Sequence, residues 1–593
     1  MLSHPQDGLN YHCAAPSVQE AAQSQQKRKP ITMSEPKHHA ADVEAQTSHD
    51  LPHEHEHEEE EEPDSPINDP KDESSEADPK EKVIQQPRRR RPSLVGSALR
   101  VVRTQSSATA AAAFSHPLSH SKTGPELRVD FEGKDDPYNP KNWPFKKKVI
   151  TTALYGFTTM GSTIASSIYA SGIDQISSEF HVGTEVSTLG ISFLLFGFGI
   201  GPLIWAPLSE VYGRKQAVLI PYFISAVFAF GTATAKDIQT VLITRFFAGF
   251  FGAAPVTNTG GVLGDIWDAK TRGTAIVGYA LAVVAGPTLG PIMGGAIVQS
   301  YLGWRWTEYL TGIIQLFVLL LDIIFVEETY PPTLLVYKAR RLRFQSGNWA
   351  LHAAHEEWDV SIKDLTRKYL VRPMNMLATP ICLSMATYAS FVYAIFYAQL
   401  AAFPIVYQEI RGWGQVTGAL PFLSLLIGML IGAGANIVNQ QFYIKAYTRG
   451  GGHPVPEARL PPMMIGSVLF TGGSFMFAWT CAPVSIPWIV SNIGLALVGC
   501  AFFMIFQAAL NYLVDTFQRY GASAVAANTF LRSVFAGAFP LFIKPMYHGI
   551  GPNWAGSVFA FVSVLLIPIP YLFYVKGKEI RRRGVWSRES VHD

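Results

Sequence analysis

Hydrophobic and polar positions divide this chain into two regimes. Residues 1–145 are polar, charged and rich in Pro and Ser, whereas residues 146–575 are apolar with charges confined to short islands. The apolar part falls into twelve runs, at 149–171, 185–208, 216–235, 238–259, 274–297, 307–326, 377–403, 415–436, 462–482, 486–510, 522–547 and 553–575. Most approach the ~20 residues that carry a helix across a bilayer. A polar stretch at 327–376 splits the runs six and six. The pattern predicts an all-α membrane protein of two six-helix bundles around a central cavity. The expected divisions are a disordered cytoplasmic tail at 1–145, an N-terminal bundle at 146–326, a cytoplasmic middle loop at 327–376, a C-terminal bundle at 377–576 and a cytoplasmic tail at 577–593.

Charge sets the orientation. Lys146–Lys148, Arg214 with Lys215, Lys270 with Arg272, Lys338–Arg343, Lys445 with Arg449, Arg519 and Arg581–Arg583 fall in alternate loops or at the termini. Cationic loops stay in the cytoplasm. Both termini are therefore expected inside. The loops assigned outside carry single cations at most, Lys236, Arg305 and Arg411.

Composition agrees with a membrane protein. The chain is 48% hydrophobic and 16% charged, against about 25% charged in soluble domains. A net charge of +2 is nearly neutral and says little about partners; no nucleic-acid partner is expected. Four cysteines, Cys13, Cys382, Cys481 and Cys500, predict no disulfide framework. The N-terminus has no apolar signal-peptide core, so the first span is expected to direct insertion. In the tail, the His/Glu run at 53–62 reads as a solvated acidic stretch rather than a metal site. Arg88–Arg91 before Ser93 reads as a patch for anionic lipid or a basophilic kinase site. The Ala-rich stretch 108–113 is too short for a stable helix alone. Outside the spans, no nucleophile–base pair, metal-ligand cluster or phosphate loop stands out. No enzyme activity and no cofactor are expected.

Between the second and third runs lies Gly201-Pro-Leu-Ile-Trp-Ala-Pro-Leu-Ser-Glu-Val-Tyr-Gly-Arg-Lys215. It reads as a tight charged hinge. Gly213 can supply φ > 0, and Glu210 can pair with Arg214 or Lys215. The fourth run contains Arg245, a cation inside a span, which is expensive unless it faces a cavity or partner. The alternative is a cation at the membrane edge that snorkels to water. The fifth run holds Ala285-Gly-Pro-Thr-Leu-Gly-Pro-Ile-Met-Gly-Gly295. Its Gly286, Gly290 and Gly294 share one helix face, which permits close helix approach, and Pro287 and Pro291 add bends. Gly197 with Gly201 and Gly428 with Gly432 are expected to serve packing in the same way.

These stretches resemble motifs A, B and C of the major facilitator superfamily, in the variant of fungal drug:H+ antiporters with twelve spans. Asp136-Pro-Tyr-Asn-Pro-Lys-Asn-Trp-Pro144 and Ala526-Ala-Asn-Thr-Phe-Leu-Arg532 resemble the same group, and the likeness covers about 135–580. It implies proton coupling at Arg245, gating at Glu210, Arg214, Gly286, Pro287, Gly290 and Gly294, and export of an amphipathic small molecule such as a secondary metabolite, glycolipid or drug. Small-molecule substrate, protons and the lipid bilayer are then the partners. The plasma membrane is the expected location, with the vacuolar membrane as alternative. A polyamine or organic-acid exporter, or a non-transporting membrane receptor, remain the other readings. Few carboxylates lie in the spans. Glu308, Asp322, Asp174 and Glu210 stand as equal candidates for the coupled proton. Aromatic and amide residues suit a partly apolar ligand. Tyr155, Tyr393, Tyr397, Gln507, Asn511 and Arg532 are the candidate cavity residues.

Overall fold

The computed structural model describes residues 127–132, 136–357 and 366–588. The His/Glu run, the Arg88–Ser93 block and the Ala-rich stretch lie outside these residues. Among the described residues there is no strand; an isolated bridge joins Arg128 to His352.

Helices occupy all twelve apolar runs. Spans 1 to 6 are Phe145–Ser167, Thr184–Ile200 with Pro202–Tyr212, Arg214–Ala233, Ile238–Ile266, Ala269–Gln299 and Arg305–Phe325. Spans 7 to 12 are Pro380–Phe403, Pro421–Arg449, Pro461–Thr480, Trp488–Phe517, Gly521–Ile550 and Pro552–Leu566 with Pro568–Arg583. Ten of the described helices are long and apolar enough to cross a membrane, and the pair in span 2, bent by 41°, makes eleven. Span 1 is also a 23-residue helix, but Thr, Ser and Gly dilute its apolar character. Helix starts follow local chemistry. Pro380, Pro421, Pro461 and Pro552 occupy first turns, where proline costs no hydrogen bond. Asp237 caps span 4 by accepting from Thr240 N at 2.8 Å.

Each bundle packs on itself, and the two meet where span 2 lies against span 11 and span 5 against span 8. The halves repeat a packing device. A side chain on Gly249 in span 4 would overlap the Leu194 carbonyl of span 2, and one on Gly499 in span 10 would overlap the Leu425 carbonyl of span 8. The helix ends on the side assigned to the cytoplasm repeat as well. Arg214 at the start of span 3 meets Asp265 at the end of span 4 at 3.2 Å, and Arg459 just before span 9 meets Asp515 in span 10 at 2.8 Å. One spacing along the chain relates Gly249 to Gly499 and Asp265 to Asp515. Sequence identity alone hid this duplication, because it survives at a handful of contact positions.

Two expected boundaries differ from the structure. The stretch 327–376 is not a plain loop: it contains the helix Pro331–Ser346 and helical turns at Arg367–Val371 and Arg372–Leu377. The expected tail is folded at its membrane end. Val129 N donates to His352 O at 2.8 Å and His352 N to Leu127 O at 3.1 Å. Lys338 Nζ, buried, reaches Asp136 at 2.7 Å and Glu132 at 3.2 Å. The cations of the middle stretch supply the reason, since they give the acidic entry segment a partner.

That clasp carries a pH dependence. Burial alone would raise the Asp136 carboxyl, but hydrogen bonds from Lys338 and from the Glu132 and Tyr138 backbone hold it below its ordinary value. A carboxyl whose folded value is depressed stabilises the fold above its unfolded value, about 4, and loses that contribution as pH falls through the folded value. Lys338→Met leaves Asp136 buried without its cation, at a cost of about 3 kcal/mol. Limited proteolysis at neutral pH should then cut near 127–136 much faster than in wild type, and acid should erase the difference.

Two of the three cations assigned to outer loops are also accounted for. Arg305 pairs with Glu179 at 2.7 Å. Arg411 donates to the carbonyls of Thr480, Cys481, Pro483 and Ile486 at 2.8–3.2 Å, tying span 7 to the turn between spans 9 and 10.

Candidate functional site

A small cavity lies between the bundles. Its walls come from spans 1, 2, 4 and 5 on one side and from Tyr393 of span 7 and Thr529, Arg532 and Ser533 of span 11 on the other. At roughly 10 Å³ it has room for about one water, far short of the hundreds of Å³ a ligand needs. Contacts shut it at both ends. Toward the side assigned outside, Ser192 Oγ donates to Gly537 O at 2.6 Å. Toward the side assigned inside, Glu210 of span 2 pairs with Lys368 at 3.0 Å and accepts from the Tyr369 hydroxyl. The halves must part before a solute can enter.

Of the expected cavity residues, Tyr393 and Arg532 line the space. The Arg532 guanidinium lies 4.6 Å from the Tyr393 ring centre and 5.0 Å from that of Phe506. It is buried, its Nε has no partner, and no carboxylate pairs with it among the described residues. Tyr397 backs Tyr393 at a ring distance of 5.2 Å and meets Ser166 of span 1 at 2.8 Å, bridging the halves. Tyr155, Gln507 and Asn511 are placed elsewhere. Tyr155 packs inside the N-terminal bundle with Val218, Tyr222 and Leu263. Gln507 and Asn511 lie on span 10, outside the lining. Asn511 is also within the helix rather than past its end, because span 10 continues to Phe517.

Arg245 is wholly buried, at 0% exposure, which removes the snorkelling alternative. Its Nη1 meets Glu308 Oε1 of span 6 at 3.0 Å and the Ala165 carbonyl of span 1 at 2.7 Å; its Nε meets the Gly190 carbonyl of span 2 at 3.1 Å. The Tyr169 ring lies 4.4 Å below the guanidinium. One cation thus ties four helices together. Glu308, at 1% exposure, is the one of the four candidate carboxylates that pairs with Arg245.

The glycine face of span 5 lies on span 1. A side chain on Gly286 would overlap the Thr163 hydroxyl, one on Gly290 the Ser167 hydroxyl, and one on Gly294 would sit 2.5 Å from the Ile168 carbonyl. Pro287 and Pro291 are within this helix. Gly197, Gly201, Gly428 and Gly432 likewise stand against neighbouring backbone.

The hinge is wired differently from its sequence reading. Glu210 pairs with Lys368 and not with the cations after it. Arg214 instead meets Asp265, donates to Ser209 Oγ at 2.6 Å, and lies 4.8 Å from the Tyr330 ring centre. Glu328 caps span 3, accepting from Arg214 N at 2.8 Å and Lys215 N at 3.0 Å. Gly213 has φ +94°, and a side chain there would strike Glu328. Asp265 and Glu328 were missed in the sequence because charges at helix ends look interfacial. Among the described residues, no group of three His, Cys, Asp or Glu could hold a metal, and Cys382, Cys481 and Cys500 are free thiols.

Two duplicated helix bundles, a small space at their interface and an ion pair buried within one of them are the architecture of a membrane transporter. The chain belongs to the Major Facilitator Superfamily, whose family model matches residues 155–540. It is 56% identical over 465 residues to the efflux pump bik6 of Gibberella fujikuroi, covering 78% of this chain and 96% of that protein. It is 40% identical over 463 residues to the multidrug transporter FLU1 of Candida albicans, covering 77% and 76%. Its fold is similar to that of the xylose transporter XylE from E. coli, with a TM-score of 0.51 at 15% identity, covering 72% of this chain and 99% of that one. It is a multi-pass membrane transporter of the fungal drug-efflux type.

Proposed function

We propose that this transporter exports an amphipathic organic anion and couples the export to proton entry through Glu308. The observation that carries the coupling is the buried Arg245–Glu308 pair. Two charges without water are held by each other, so neutralising Glu308 frees Arg245 from an ionic partner. Protonation thereby favours one packing of the four helices that Arg245 joins, and substrate the other.

Arg532 supports the anionic substrate. A buried cation without a counter-ion is costly, and Arg532 faces the cavity with aromatic rings and neutral hydroxyls around it. An anionic ligand would complete it. A polyamine would meet this cation with repulsion, so the polyamine reading is set aside. The name efflux pump, borne by the relative from Gibberella, supports outward transport, and an exporter of this kind fits the plasma membrane.

The test uses purified protein in sealed liposomes under an imposed pH gradient. The probe is 8-anilinonaphthalene-1-sulfonate, an aromatic anion, and rhodamine 6G, a cation, serves as comparison. Wild type should move the anion against its gradient, and Arg532→Gln should slow it by about tenfold or more, the scale of a lost charged hydrogen bond. Faster transport of the cation than of the anion, unaffected by Arg532→Gln, would overturn the anionic assignment.

A further inference from the structure

Span 6 carries a polar ladder that the inter-bundle cavity does not use. Glu308, Gln315 and Asp322 recur every seven residues, each at 1% exposure, whereas Phe317, Leu320 and Ile324 on the other side of the helix are 55–61% exposed. Seven residues advance an α-helix by about 10 Å, so the three rungs reach from the outer ion pair about 21 Å toward the cytoplasm. The ladder faces spans 1 and 3, inside the N-terminal bundle.

Polar atoms along it are left with unused capacity. Both side-chain atoms of Gln315, the hydroxyls of Tyr155 and Tyr222, and Asp322 Oδ1 are buried without a hydrogen-bond partner. Thr158 Oγ1 donates to Asp322 Oδ2 at 2.6 Å. Gly161 of span 1 makes the room: a side chain there would overlap the Tyr222 hydroxyl and lie 3.7 Å from Gln315 Cγ. Thr158 from span 1 contacts Asp322, and Tyr155 from span 1 and Lys215 and Tyr222 from span 3 lie within reach of its charge. Arg214, Asp265 and Glu328 are the charges beyond Tyr155. No cation pairs with Asp322 among the described residues. Orphaned buried polar groups in one seam are the setting in which bridging waters are held.

From this seam we infer that protons cross the N-terminal bundle along span 6, from Glu308 past Gln315 and Tyr222 to Asp322, on a route separate from the substrate cavity. The inference rests on the proton coupling proposed above. One proton enters on the Glu308 carboxyl from the outer side. When it moves on, Arg245 stabilises the carboxylate left behind. Each bridging water or hydroxyl accepts one proton as it releases another. The Asp322 carboxylate takes the last one and gives it to the cytoplasm. Glu308 is enclosed with Arg245 among spans 1, 2 and 4, so the route loads only when the packing of those helices changes, which ties it to the transport cycle. Buried carboxyls within spans are used as proton stations for this reason: their charge state is decided by a single transfer.

The full-length protein in sealed liposomes tests this, with 8-anilinonaphthalene-1-sulfonate as probe and an entrapped pH dye reporting protons. Wild type should couple probe movement to proton influx. Asp322→Asn and Gln315→Leu should each cut proton-driven accumulation by about tenfold, within the usual range of coupling energies, while probe-for-probe exchange at equal pH persists. Asp322→Glu should restore the drive with a displaced pH profile, a change that a packing role would not produce. Wild-type pH dependence and accumulation in both Asp322→Asn and Gln315→Leu would overturn the route while leaving coupling at Glu308 intact. Probe movement by wild type without proton influx would instead remove the coupling, and the route with it.

Discussion

Glu308→Gln is expected to fold, reach the membrane and exchange probe at equal pH, yet fail to concentrate it under a pH gradient. Glutamine keeps the carbonyl that Arg245 Nη1 contacts at 3.0 Å, and it stands for the protonated state permanently. The remaining acceptors of Arg245, the Gly190 and Ala165 carbonyls and the Tyr169 ring, continue to hold it. Arg245→Ala should behave worse, because it strands Glu308 as a buried carboxylate. Removing one partner of a buried pair costs about 3–5 kcal/mol, so lower expression and a lower melting temperature are expected as well as lost transport. Arg245→Lys should not rescue it, since one ammonium cannot match the spread of acceptors a guanidinium fork reaches. Gradient-driven accumulation by Glu308→Gln at the wild-type level would contradict the assignment of Glu308.

The second large effect belongs to the glycines, and two of them should respond differently to the same change. Gly290→Ala brings a methyl onto the Ser167 hydroxyl, the end of a small side chain. Gly249→Ala brings it onto the Leu194 carbonyl, which is backbone. Overpacking costs typically about 1–3 kcal/mol. A companion Ser167→Gly should return much of the loss caused by Gly290→Ala, whereas no side-chain substitution at Leu194 should return that caused by Gly249→Ala. Thermal unfolding in detergent reads both. If Gly290→Ala left stability and transport untouched, the tight contact of spans 1 and 5 would not be what holds the closed state.

Much of this architecture was legible in the chain. The spans follow from apolar runs, the bundle division from the polar stretch at 327–376, and the glycine row of span 5 from its four-residue spacing. What stayed hidden depends on how helices rotate against one another. Arg245 was visible as an anomaly, but its partner Glu308 lies 63 residues on and reads as one of several end-of-span charges. Tyr155 could have faced the inter-bundle cavity or the bundle interior, and its position in a hydrophobic run fits both. Lys368 was one of many cations in the middle stretch, and only folding selects it as the mate of Glu210. The spacing of Glu308, Gln315 and Asp322 was readable as one face of span 6. Its meaning depended on seeing that the face is turned away from lipid.

The claim on which the rest depends is that two rigid bundles rock about a sealed centre when Glu308 gains a proton. Distances between spin labels test it most directly. One pair joins Tyr301 to Val484 on the outer side, and the other joins Phe145 to Val575 at the cytoplasmic ends; all four sites are exposed. Acidification should shorten the outer distance and lengthen the inner one in wild type, and Glu308→Gln should make both distance distributions independent of pH. Outer and inner distances that change in the same sense, or that ignore pH altogether, would contradict the account.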